Sequence, residues 1–209
     1  MTFDERQIDA LRERVRSTMS ERRFTHTAEV ERMTMRLAEL YAPEKVDVLR
    51  AAALLHDITK EKSTEEQLEI LRTHGVVVSD LDRYSPKTLH ARTAVEVIKE
   101  EYCEFATPEL LSAVERHTTG HANMTVLDGV IYLADYIDMS RKFEDCIRLR
   151  EYFWGKDPQL MSKEAREAHL WQTLILSFDM TLKALIEEGS PISADTVKAR
   201  NSLICRLKK

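Results

Sequence analysis

Glycine is scarce in this chain, at five residues in 209, where a typical soluble domain carries about 7%. That shortage excludes a turn-rich sandwich, a glycine-rich nucleotide loop at each crossover and a low-complexity linker. Proline is equally sparse at five, and a mostly helical chain is what remains. Positive charge is not in excess either: 31 Lys and Arg stand against 36 Asp and Glu, for a formal net charge of -5. No surplus is left to offset a nucleic-acid backbone, so a general DNA or RNA binder is not expected. The three cysteines, Cys103, Cys146 and Cys205, form an odd set without the close pairs of zinc fingers or disulfide frameworks. A reducing cytoplasm is their simplest home. Long apolar runs are missing as well; none approaches ~18 residues, and the first twenty residues are charged throughout. Neither a signal peptide nor a membrane span is expected.

The length suits one sizeable domain that buries a core without staples. Apolar residues recur at helical spacing almost everywhere. Ile8, Leu11, Val15 and Met19 predict a helix over 4–19 with Asp4 as cap, and Val30, Met33, Leu37 and Leu40 predict a second that Pro43 stops. Residues 44–58 are richer in apolar side chains, which predicts a central helix buried on more than one side and ending in His-Asp. Ser63 and Glu66 form a capping box for a helix that ends at His74-Gly75. The stretch 76–86 reads as a loop or one short extended piece. Further helices are predicted over 88–103, over 107–117 with Thr107 as cap and Pro108 at the first position, over 125–138, over 162–188, and over 196–207 with Asp195 as cap. Residues 140–160, broken by Gly155 and Pro158, are the least readable.

Four of the seven histidines and two aspartates occupy positions that suggest ligands: His26, His56, Asp57, His90, His117 and Asp135. His56-Asp57 closes the apolar run LLHD, and Asp135 lies inside the apolar run IYLADYID. Burying an imidazole or a carboxylate there is costly unless something strongly favourable meets it, and a divalent cation does. A lone histidine is more often a hydrogen-bonded structural residue, which is how His74 and His169 read. His121 lies near the site with no assigned role. The signal is the ordered set, namely His, then His-Asp about 30 residues on, then His, His and an Asp within an apolar helix.

That set resembles the HD-domain metal-dependent phosphohydrolases. The strings RRFTH (22–26), LLHDITK (54–60), LHARTAVEVI (89–98), ERHTTGHANMTVLDGVIYLADYID (115–138) and PISADTVKARN (191–201) are similar to the branch of symmetrical bis(5'-nucleosyl)-tetraphosphatases, with HTTG followed by IYLADYI the most specific. The resemblance runs from Arg22 nearly to the C-terminus. It implies an all-α fold, a single HD-domain helical bundle over 22–209 with a C-terminal helical extension, and an N-terminal helix over 1–21 packed on it. Two departures stand out. After His90 the family usually has a small glycine-containing turn where this chain has Ala91-Arg92, which touches the metal neighbourhood and is expected to change pocket shape; near the C-terminus a histidine usual in the family is replaced by Ser193, expected to affect only a peripheral role.

The resemblance further implies two divalent metal ions, with Asp57 bridging, His26, His56 and Asp135 on one and His90 and His117 on the other. Four neutral imidazoles and two carboxylates leave such a filled site net positive, which suits a polyphosphate although the chain is acidic. A nitrogen and oxygen donor set without thiolate fits iron, manganese or cobalt at least as well as zinc, and the resemblance favours iron. Asp57 and Lys60 are the expected catalytic residues. Lys60, Thr118, Thr119, Gly120, Arg23 and Arg141 are candidate substrate contacts, and Asp138, one helical turn from Asp135, is placed to orient a ligand or a water. The activity implied is metal-assisted hydrolysis of diadenosine tetraphosphate to two ADP. A nucleotidase or pyrophosphatase with the same centre is the alternative, and a catalytically silent nucleotide sensor is disfavoured because all six ligand positions are filled. The amphipathic helices leave both a monomer and a homodimer open.

Overall fold

The computed structural model describes residues 3–208, and among them there are eleven α-helices, four short 3-10 turns and no strand. In chain order the helices are α1 (Glu5–Arg16), α2 (Glu21–Tyr41), α3 (Val46–Leu55), α4 (Thr64–Thr73), α5 (Asp80–Tyr84) and α6 (Leu89–Glu101). They continue with α7 (Pro108–Arg116), α8 (Val126–Ile137), α9 (Glu144–Trp154), α10 (Lys163–Glu187) and α11 (Ala194–Leu207). The all-α expectation is met.

Local chemistry explains most of the helix starts. Reciprocal capping boxes open α1 (Asp4 with Gln7), α4 (Ser63 with Glu66) and α8 (Thr125 with Asp128), while Ser20, Thr107 and Ser162 cap α2, α7 and α10 with one side-chain oxygen each. Thr107 precedes Pro108, so its hydroxyl, which accepts from the Leu110 amide at 3.2 Å, serves a turn that already has one donor fewer. Thr107→Ala is expected to cost about 1 kcal/mol, read as a lower midpoint in urea at unchanged slope.

The core is built around α3. Val48 through Leu55 are all buried, and the run Ala51-Ala52-Ala53 lets neighbouring helices approach closely. α2 packs along α3 and α8, while α1 and α7 close further sides of α3. α10 pairs with α9 and α11, and Leu174, Phe178, Ala199 and Leu203 join the same apolar cluster as Ile8, Leu11 and Val15 of α1. A smaller cluster of Leu68, Leu71 and Leu89, with Val76 and Val78 against it, fastens α4 to α6. Among the described residues no helix is long and apolar enough to cross a membrane.

The structure differs from the spacing-based expectation at four places. The central helix is shorter than 44–58: Pro43–Lys45 is a 3-10 turn, and after Leu55 the chain tightens into i to i+3 turns, with the Ile58 amide on the Leu55 carbonyl and the Lys60 amide on the Asp57 carbonyl. The stretch 76–86 holds α5 rather than an extended piece, because Ser79 and Asp82 cap each other's backbone. Residues 140–160 contain α9. The last helix begins at Ala194, capped by Ser193 in place of Asp195, since it is the serine hydroxyl that accepts from the Asp195 amide.

Candidate metal centre

All six sequence-derived ligand positions converge. Asp57 lies in the middle. Its Oδ2 is 3.5 Å from His56 Nε2 and 3.8 Å from His26 Nε2, while its Oδ1 is 3.2 Å from His90 Nε2 and 3.8 Å from His117 Nε2. Asp135 Oδ1 lies 3.0 Å from His26 Nε2 and 3.8 Å from His56 Nε2. Four overlapping triplets therefore bring their donor atoms within 4.8 Å of one another: His26, His56 and Asp57; His56, His117 and Asp135; Asp57, His90 and His117; and His26, Asp135 and Asp138.

The helices present these side chains in specific tautomers. His56 and His117 are the C-cap residues of α3 and α7, and in each the ring Nδ1 sits 2.6 Å from the carbonyl three residues back, Ala53 and Val114. A carbonyl accepts only, so Nδ1 carries the hydrogen and donates, and the Nε2 lone pair is left facing the centre. His26, on α2, has Nδ1 3.4 Å from Asp138 Oδ2 and 3.3 Å from Ser140 Oγ, and Ser140 is itself bonded to Asp138. The hydrogen bond to the His26 ring is thus made by Ser140, which carried no sequence signal, and Asp138 stands behind that serine. His90 opens α6, its carbonyl held by the Thr59 hydroxyl at 2.9 Å.

The donor set fits a metal. His26 Nε2 and His56 Nε2 are buried without a hydrogen-bond partner, although carboxylate oxygens lie close by. An unpartnered imidazole nitrogen facing a buried carboxylate is unfavourable by itself and favourable around a cation. Burial pushes His56 down to about 4, and burial with His117 and Lys60 nearby holds His90 well below its usual value, so both are neutral as ligands require. Burial opposes charge on Asp57 and Asp135 too, yet the surrounding histidines, and Arg141 for Asp135, hold both carboxyls well below the usual range. His26 differs: burial disfavours its charge, but Asp135 and Asp138 outweigh that and lift the ring to about 9, so a cation bound at its Nε2 would displace a proton.

The candidate substrate contacts fall into two groups. Lys60 Nζ is 3.1 Å from the His90 ring nitrogens, Arg23 Nη1 donates to Asp57 Oδ2 at 2.6 Å, and Arg141 is bonded to both the carbonyl and the carboxylate of Asp135. These three cations ring the centre. Thr118, Thr119 and Gly120 follow α7, with Thr118 Oγ1 3.1 Å from Nε2 of both His90 and His117. All three line a neighbouring cleft of about 750 Å³, which sequence reasoning did not anticipate because its walls come from distant segments. Ser193 and His121 also line it. His169, bonded to the Phe153 carbonyl and stacked on the Phe153 ring, and His74, on the Ile70 carbonyl, are structural.

The HD domain family model matches residues 23–140. A Bacillus subtilis protein named as a symmetrical bis(5'-nucleosyl)-tetraphosphatase is 28% identical, covering 91% of this chain and 94% of its own length; a Halalkalibacterium halodurans protein of the same name is 28% identical over 93% and 95%. A crystal structure from Clostridium acetobutylicum, described as a predicted HD superfamily hydrolase involved in NAD metabolism, superposes with a TM-score of 0.81 at 29% identity, covering 99% of this chain and all of that one.

Proposed function

The chain belongs to the HD-domain family and is a hydrolase of that fold, and from that premise we propose that it cleaves diadenosine tetraphosphate symmetrically, one water and one dinucleotide giving two ADP. The observation that carries the metal chemistry is the division of histidines between the two oxygens of Asp57. Support for the substrate comes from the relatives' names.

His26, His56, Asp57 and Asp135 would hold one cation, and Asp57 with His90 and His117 a second; iron suits these nitrogen and oxygen donors, with manganese, cobalt and zinc as alternatives. Bound there, divalent cations supply an acidified water and neutralise charge on the phosphoryl oxygens. The chain's own groups do the remainder. Asp57 fixes the spacing between the two halves of the centre. Ser140, itself bonded to Asp138, meets His26 at Nδ1, which keeps Nε2 turned inward. Lys60, largely buried, has its charge disfavoured by that burial and partly restored by Asp57, so it offers a poorly solvated ammonium to a phosphoryl oxygen. Arg23 and Arg141 lie within reach of the same region with planar donor forks suited to phosphate. Thr118 stands between the centre and the cleft with a hydroxyl for the chain of phosphates.

Protein loaded with ferrous iron, manganese or cobalt is expected to yield ADP as the sole nucleotide product from diadenosine tetraphosphate, resolved by chromatography. AMP plus ATP would reject symmetrical cleavage. Turnover restricted to mononucleotides or to other pyrophosphates would select the alternative activity of the same centre.

A further inference from the structure

The cleft beside the metal centre has a feature that the hydrolytic chemistry does not use. It runs from the turn after α7 to the start of α11 and is walled on one side by the α5–α6 corner. It meets the centre at Thr118, whose hydroxyl touches His90 and His117. Its volume of about 750 Å³ is in the range of sites that enclose a small organic ligand. On the α5 wall stands Tyr84, whose ring is left 75% exposed. A tyrosine in that position gains nothing from the core, and its free face is the surface on which a nucleobase stacks.

The corner that carries Tyr84 is tied to α6 by one side chain. Arg92, two residues beyond the ligand His90, donates from Nη1 to Asp82 Oδ1 at 2.7 Å and from Nη2 to the Val77 carbonyl at 2.7 Å. One guanidinium thus ties α6 both to α5 and to the strand of chain leading into it. Arg92 itself lines the cleft, so the side chain that ties α5 to α6 and the exposed Tyr84 ring border the same space.

We propose that the cleft seats one nucleoside of the substrate with its base stacked on Tyr84, and that Arg92 is a positioning residue that holds Tyr84 in place. The proposal rests on the nucleotide reading of the adjoining centre. The phosphates then run past Thr118 toward Lys60 while the base lies outward, away from the ligands.

The test is calorimetric binding of ADP and, separately, of inorganic pyrophosphate to metal-loaded protein, for wild type, Tyr84→Ala, Tyr84→Phe, Arg92→Ala and the Tyr84→Ala/Arg92→Ala pair. Tyr84→Ala is expected to weaken ADP about tenfold, in keeping with the loss of one base stack, and to leave pyrophosphate within about twofold. Tyr84→Phe should bind ADP like wild type. Arg92→Ala should weaken ADP alone, and adding it to Tyr84→Ala should bring no further loss, because it acts through the tyrosine. Unchanged ADP affinity in Tyr84→Ala, equal losses for ADP and pyrophosphate, or no ADP binding by wild type would overturn the proposal. Should Arg92→Ala fail to fold, the exposed Tyr84 variants decide the stacking claim. Because binding is read without turnover, a failure of diadenosine tetraphosphate hydrolysis shows up separately, in the product assay.

Discussion

Asp57→Ala is expected to lower kcat/KM on the order of 10³-fold or more and to strip the protein of metal while its helical circular dichroism is retained. The size follows from what the side chain touches. One oxygen faces His26 and His56, the other His90 and His117, so the substitution removes the element common to both halves of the centre and one of its two central negative charges. Each tenfold in rate corresponds to about 1.4 kcal/mol, and cation stabilisation of a phosphoryl transition state amounts to several of these. Helicity persists because Asp57 lies in the turn after α3 and caps no helix. Elemental analysis of the purified variant is the direct check: wild-type metal content or wild-type turnover would refute the central role of this carboxylate.

Gly120→Ala is expected to destabilise the fold by about 3 kcal/mol. Gly120 has φ +68°, in the left-handed region where a Cβ costs roughly 1–2 kcal/mol. That Cβ would also lie 2.6 Å from Phe178 Cζ and 2.9 Å from Ala199 Cβ, and overpacking of this kind adds roughly 1–3 kcal/mol. The melting temperature should fall by roughly 6–12 °C for a chain of this size. A variant that melts with wild type would show that α10 and α11 can move aside at no cost. The glycine scarcity of the sequence thus has a local counterpart: Gly120 lines the cleft, but what demands glycine there is the close approach of Phe178 and Ala199 behind it.

Much of this architecture is legible in the sequence because helix starts are local events. Asp4, Ser63, Thr107 and Ser162 each meet the amide three residues ahead, and nothing distant is needed to place them. α9 lacks that signal: Phe143 precedes it with no side-chain cap, and its buried residues Cys146, Leu149 and Phe153 are interleaved with charged ones. α5, at five residues, is too short to show a period. The candidate ligands are legible for a different reason. His56, Asp57 and Asp135 are polar residues in or beside apolar helices, and that mismatch is itself the signal. What cannot be read from spacing is where the surrounding cations settle. Arg23 and Arg141 read as phosphate contacts, and the fold engages Arg23 on the Asp57 carboxylate and Arg141 on that of Asp135. The cleft wall, drawn from α5, α6, the turn after α7 and the start of α11, exists only once those segments meet.

The ligand set has a consequence for stability as well as for chemistry. His26 and Asp135 come from α2 and α8, more than a hundred residues apart, and their side chains lie 3.0 Å apart across the centre. An ion held by both would be a cross-link closing a very long loop, the kind of tie that most restricts an unfolded chain. All three cysteines are free, so this chain has no disulfide to do that. Its staple and its catalyst would be the same object, removed together by one chelator.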